Sequence, residues 1–163
     1  ISLLQGFCMS GEFIEPRRVS IDPDSLKILR TGQIVYNRAV ECVSDRFIVA
    51  LRRDETCAVS SSYIIFSSKD QNVLDNKYLM LWLMRSEFAR YSKFKSHGTA
   101  HENFEYFDLE EVEIPIPDIN IQRSIAGIYD VMFERKKIND RLKDQIKDIC
   151  PILIKGSIVE AQK

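Results

Sequence analysis

The spacing of apolar residues in the last quarter of the chain constrains its fold more than any other feature. Steps of four and three alternate through ten positions, eight of them apolar: Ile121, Ile125, Ile128, Met132, Arg135, Asn139, Leu142, Ile146, Ile149 and Leu153. This heptad pattern is typical of a helix that pairs with a second helix. We therefore predict a long helix over residues 118–155 and a tail over 156–163. The expected pairing seam consists of Ile121, Ile125, Ile128, Met132, Leu142, Ile146 and Ile149.

Polar residues interrupt this seam at its middle. Arg135 and Asn139 either fix the register and the partner of the helix, or they form a solvated break between two short contacts. Pro151 is expected to weaken the last turn, so that the seam fades there.

The residues before the helix have the short, punctuated runs of a small globular head. β-branched and aromatic residues predict strands over 33–36, 47–51, 57–66 and 112–116. Pro115 and Pro117 exclude the last of these from the centre of a sheet. The predicted fold class is therefore α+β, with a small mixed-sheet head over residues 1–117 followed by a long helix of the coiled-coil type.

Helical signals in the head are fewer. One helical turn is predicted over residues 26–29, and Asp75 is expected to cap a helix that continues through Phe88, with Arg90 and Lys93 near its C-terminus. A further short turn is expected to begin at Asp108, with the acid three residues later completing a capping box.

Charge is distributed unevenly along a chain whose formal net charge is only −1. Residues 85–101 carry four bases and one acid, whereas residues 102–118 carry seven acids and no base. This pattern excludes a uniformly basic nucleic-acid binder and predicts two surfaces with two different partners.

No apolar run approaches the roughly 20 residues that cross a bilayer, and no leader is recognisable, so a soluble cytoplasmic protein is expected. Because the chain begins with Ile1, we expect it to be a piece of something longer or a trimmed chain.

Motifs that carry catalysis or bind metals are weak or absent in the sequence. There is no phosphate-binding P-loop or glycine-rich dinucleotide turn, and the four cysteines are spaced as buried free thiols. His97 and His101 could share a metal only if Gly98 between them allowed a helix, so a polar loop is the favoured interpretation. Asp118 and residues 134–136 match the acid and acid–lysine pattern of metal-dependent nucleases. Residues 134–136 lie in the predicted helix, however, where side chains two residues apart point in different directions, so the geometry of a nuclease site is wrong. We therefore predict no catalytic residue, no metal and no cofactor.

Five stretches occur in an order that is more specific than any of them alone. They are LRTGQIVYNR at 29–38, AVSSSYIIF at 58–66, YLMLWLMRSEF at 78–88, SHGTAHENF at 96–104 and FDLEEVEIPIPDINIQRSI at 107–125. Together they resemble one half of a type I restriction-modification specificity subunit. The resemblance implies a target recognition domain followed by a conserved spacer helix, with no catalytic residues of its own. It also implies double-stranded DNA, DNA methyltransferase subunits and a restriction endonuclease subunit as partners.

This chain departs from the family pattern because it contains one recognition domain and one helix, where full members usually have two of each. It is therefore either a fragment or a half-subunit that pairs with a second copy of itself through the seam. The DNA-binding candidates are Arg17, Arg18, Asn37, Arg38, Arg90, Lys93, Lys95, His97, Thr99, His101 and Asn103. Arginine and lysine would neutralise phosphates, and asparagine can hydrogen-bond adenine. The ordinary alternative for each is a solvated or structural side chain, and the alternative function is a protein-interaction adaptor that never touches DNA.

Overall fold

The structure is a computed structural model that describes residues 4–7, 11–16, 25–39, 47–98 and 102–161. It divides the chain into two compact units, Ile1–Ile125 and Ala126–Lys163. The strands are β1 Gly6–Phe7, β2 Phe13–Ile14, β3 Leu26–Leu29, β4 Ile34–Asn37, β5 Val49–Leu51, β6 Cys57–Ser60 and β7 Tyr63–Phe66. The helices are α1 Asn76–Leu83, α2 Ser86–Lys95, α3 Tyr106–Glu110 and α4 Ile119–Ala161. The predicted α+β class is confirmed.

Three small sheets make up the β part of the head. β1 pairs with β2, β3 pairs with β6, and β4 lies between β5 and β7, all antiparallel. An isolated parallel bridge joins Leu4 to Ala58. The core forms where these strands meet, and Leu29, Val35 and Val59 are fully buried in it.

Two predictions for the β region are wrong. Residues 26–29 form β3 rather than a helical turn, because four residues cannot sustain a helix, whereas pairing with β6 satisfies their backbone. The run predicted as one strand over 57–66 is two strands, β6 and β7, which belong to different sheets. Its polar serines form the turn, where the hydroxyls of Ser60 and Ser62 lie 2.9 Å apart.

The predicted helix after Asp75 is present but broken in two. Asp75 caps α1 as expected, since its carboxylate accepts hydrogen bonds from the backbone of Lys77 and Tyr78. The break falls at Arg85, whose backbone is extended and whose guanidinium lies 4.5 Å from the centroid of the Trp82 ring.

The short helix α3 is capped one turn earlier than predicted. Glu105 is its N-cap and Asp108 its third residue, and the two form a reciprocal capping box. Residues 112–116, predicted as a strand, pair with no strand among the described residues. Pro115 removes one donor from this segment and Pro117 another just after it, which accounts for the failure to pair.

The long helix α4 begins where it was predicted. The Asp118 carboxylate accepts a hydrogen bond of 2.8 Å from the Asn120 backbone, and the helix runs through Pro151 to Ala161 rather than fading at the proline. Of the cysteines in the described residues, Cys57 is buried as expected but Cys150 is exposed. In the described part of the chain, no helix has the length and apolarity needed to span a membrane.

Candidate DNA-binding edge and helix seam

The end of β4 and the stretch that contains His97 and Asn103, which lie far apart in sequence, meet at one edge of the head. The backbone N–H of His97 donates to the carbonyl of Asn103 at 2.9 Å, and the return bond from Asn103 is 2.8 Å. The carbonyl of Arg38, just after β4, accepts from the N–H of Phe104 at 2.8 Å. We call Asn37, Arg38, His97 and Asn103 the polar edge. The sequence predicted His97 and Asn103 on one loop and Asn37 and Arg38 as a separate pair, and the fold brings the two groups together.

Aromatic packing supports the polar edge from below. The rings of Tyr36, Phe47 and Phe104 are buried, with centroid separations of 5.1 to 6.1 Å. The Tyr36 hydroxyl donates to the Phe104 carbonyl at 3.3 Å. Burial raises the pKa of Tyr36 well above its ordinary value, and the nearby charges of Glu105 and Asp108 raise it further. The backbone beneath the edge is therefore tied to a packed, uncharged core.

Carboxylates of the acidic stretch pair with side chains of the basic stretch and of the polar edge. The pairs are Arg38–Glu105 at 3.6 Å, His97–Asp108 at 3.3 Å and Lys95–Glu111 at 2.8 Å. The prediction that the two charge runs form separate surfaces is therefore wrong for these residues. The hydrogen bond that Lys95 donates to Glu111, and then the charge of Glu111, raise the pKa of Lys95. Lys95 would have to leave Glu111 before it could contact a phosphate.

The other predicted DNA contacts fall into two groups. Arg90 is exposed and Lys93 is partly buried, both on α2. The remaining four lie outside the described residues: Arg17, Arg18, Thr99 and His101. Gly98, which follows His97, has a φ of 138°, a conformation that favours glycine. No group of three His, Cys, Asp or Glu side chains that could hold a metal occurs within the described part of the chain.

Sequence reasoning missed two exposed aromatic residues near the cations. Phe94 is 85% exposed although it lies within α2. Phe107, also exposed, stacks on the His97 ring at a centroid distance of 6.0 Å. The signal was present for Phe94, since it follows Arg90 by four residues and so shares its helix face. The basic stretch had been considered for its charge alone.

The predicted seam residues on α4 are exposed within this chain. Ile121, Ile125, Ile128, Met132, Leu142, Ile146 and Ile149 each keep between 37% and 61% of their surface exposed. Val131 and Ile138, which the heptad pattern did not include, are also exposed. Arg135 and Asn139, also exposed, divide this apolar surface into two parts.

Gln122 anchors the start of α4 in the head. Its side chain is fully buried. Its amide nitrogen donates to the carbonyls of Val73 and Pro117, both at 2.8 Å. Its amide oxygen accepts from the N–H of Asp75 at 3.0 Å, next to the N-terminus of α1. One polar residue thus fixes the helix start, the proline segment and α1.

Comparison with known proteins gives two positive findings. The family described as "Type I restriction modification DNA specificity domain" matches residues 27–148. The structure is similar to the crystal structure of the HsdS subunit from Thermoanaerobacter tengcongensis, with a TM-score of 0.62 and 17% identity. The match covers 93% of this chain and 40% of that one. No curated protein matches the chain. Because the family match spans most of its length, the chain belongs to the type I restriction modification DNA specificity domain family.

Proposed function

We propose that this chain reads DNA sequence as one recognition head of a type I specificity subunit, and directs partner methyltransferase and endonuclease subunits to half of a bipartite site. The observation that carries the proposal is the meeting of Arg38, His97 and Asn103 at one edge of the head. These side chains are donors and acceptors suited to base edges and phosphates. Chemistry would then reside in the partner subunits.

Charge supports a division of labour within this surface. Arg90 is exposed on α2 and would contact phosphates directly, with a strength that falls as salt rises. Arg38 and Lys95 are held by carboxylates and would exchange them for phosphates on binding. Breaking these ion pairs costs affinity, and the carboxylates repel the phosphates of DNA that is not correctly placed. This arrangement favours specificity over tight non-specific binding.

The exposed seam on α4 supports a second part of the proposal. An apolar helix face of this kind is stabilised by burial against another helix. We assign it to a second copy of the chain or to the other half of a longer subunit. Either arrangement would hold two heads at a fixed separation, as a bipartite site requires.

The test is DNA binding by the chain together with its methyltransferase subunit. A selected duplex should bind in excess random DNA, and the affinity should fall steeply with salt. Reversal of three cations, Arg90→Glu, Lys93→Glu and Lys95→Glu, should abolish binding. Lys69→Glu, an exposed change in the loop after β7, is the matched control and should leave it nearly intact.

The rival function is an adaptor that binds proteins alone. It predicts that the triple reversal leaves all activity unchanged. Absence of binding by the wild-type complex at low salt would contradict DNA reading outright.

A further inference from the structure

An apolar groove lies in the head, on the side of α1 and α3 that faces residues 112–116. Its volume is about 570 Å³, and its walls include Leu79, Trp82, Leu109, Ile114 and Ile116. A second cavity of about 390 Å³ shares Trp82 and Ile114 with it. Because they share these walls, the two cavities are adjacent parts of one groove.

Residues 112–116 form the outer wall of the groove, and the groove is open on this side. Residues 112–116 pair with no strand in the described part of the chain, and the wall is instead held by the Tyr78 hydroxyl, which donates to the Pro115 carbonyl at 2.9 Å. Ile116 lies on this wall and is 52% exposed. Covering it would therefore bury apolar surface that the chain alone leaves in water.

The charge of the groove selects the kind of partner. Two acids, Glu110 and Glu113, and no base are among the described residues that line the larger cavity. In the smaller cavity Glu87 pairs with Arg85 at 3.3 Å and Glu111 pairs with Lys95 at 2.8 Å, so the negative charge of the groove comes mainly from Glu110 and Glu113. DNA phosphates would be repelled by this rim, whereas a segment with lysine or arginine would be attracted.

We propose that the groove binds an amphipathic protein segment of a partner chain, with large apolar anchors flanked by lysine or arginine. The anchors fill the cavity beside Trp82, and the flanking cations pair with Glu110 and Glu113. The identification of the partner as the methyltransferase subunit rests on the proposed function. The chemistry of the groove does not depend on that function.

Trp82 provides the readout, because it is the only tryptophan in the chain. Two tryptophan-free helical peptides with identical leucine and isoleucine anchors, one flanked by lysine and one by glutamate, are titrated into the protein. The lysine peptide should shift Trp82 emission to shorter wavelength and bind at least about tenfold more tightly than the glutamate peptide. Equal binding of the two peptides, or no change in emission with either, overturns the proposal.

Two variants locate the binding to the groove. Glu110→Lys with Glu113→Lys should reverse the peptide preference, and both positions are exposed, so folding is retained. Ile116→Asp should weaken the lysine peptide about tenfold or more. Ile28→Asp is the matched control, since Ile28 is 50% exposed and lies outside both cavities. Loss of affinity in the control equal to that in Ile116→Asp contradicts the assignment.

The methyltransferase subunit is then tested directly. Ile116→Asp should reduce its affinity for the chain about tenfold while duplex binding by the chain stays unchanged. An unchanged affinity overturns the identification of the partner. If the emission of Trp82 shifts with protein concentration alone, the occupant is a second copy and the proposal is wrong. Failure of DNA binding with peptide binding intact would defeat the proposed function and leave the groove assignment standing.

Discussion

Replacement of Gln122 by alanine tests how the head holds the start of α4. The side chain is fully buried and makes three hydrogen bonds, to the carbonyls of Val73 and Pro117 and to the N–H of Asp75. Gln122→Ala removes all three and leaves the partner groups to find water or remain unpaired. We expect the start of α4 and the N-terminus of α1 to lose their common anchor.

The expected loss follows from these contacts. A net contribution of about 1 kcal/mol per hydrogen bond gives about 3 kcal/mol. The lost methylene adds about 0.8 kcal/mol, and water entering the site would return part of the sum. We therefore expect Gln122→Ala to lower the free energy of unfolding by about 3 kcal/mol, or Tm by about 10 °C for a chain of this size.

Urea unfolding followed by Trp82 emission measures this loss in the head itself. Gln145→Ala is the control, since Gln145 lies on the same helix and is exposed; it should cost no more than about 0.5 kcal/mol. Gln122→Met keeps most of the volume and should lose nearly as much as alanine, because the hydrogen bonds dominate. If Gln122→Ala costs no more than the control, the anchoring argument is refuted.

Three further predictions concern phosphate contact, helix pairing and pH. Arg90→Ala should reduce the slope of log affinity against log salt by about 1, measured by fluorescence anisotropy; an unchanged slope means that Arg90 touches no phosphate. Ile128→Asp with Ile146→Asp should raise the Kd of the helix-paired state at least about 100-fold in sedimentation, and a wild-type chain that never pairs contradicts the seam. Because burial raises the pKa of Tyr36 in the folded state, the phenol ionises more easily after unfolding. Stability should be full below about pH 10 and fall above it, and Tyr36→Phe should flatten that fall in urea titrations; an identical profile in the variant refutes the burial argument.

Features that depend on local sequence were predictable. The heptad spacing from Ile121 to Ile149 identified a long helix with an exposed apolar face, and Asp75 and Asp118 marked two helix starts. Each of these signals acts over one or two turns, so neighbouring residues contain the whole cause.

Features decided by distant partners were not predictable. Residues 26–29 have apolar spacing compatible with a helical turn, but β6 supplies the backbone partners that make them a strand. Residues 112–116 have the alternating apolar pattern of a strand, but no strand among the described residues pairs with them. The sequence pattern indicates which face of a segment is apolar, but it does not indicate which other segment packs against that face.

The candidate site shows the same division. The family resemblance together with residue type made Arg38, His97 and Asn103 candidates for DNA contact, but their meeting at one edge depends on a backbone bridge between Ala39 and Asn103. The pairing of Lys95 with Glu111 was not predicted either. The basic and acidic runs are adjacent in sequence, but the two side chains meet only because the chain folds back on itself.

The most direct test of the proposed DNA reading is selection of duplexes from a randomised library by the chain in complex with the proposed methyltransferase partner. The account predicts enrichment of one defined sequence, and loss of that enrichment when Arg38 and Asn103 are both replaced by alanine. Recovery of random sequences by the wild-type complex, or the same enriched sequence with the double variant, would contradict it.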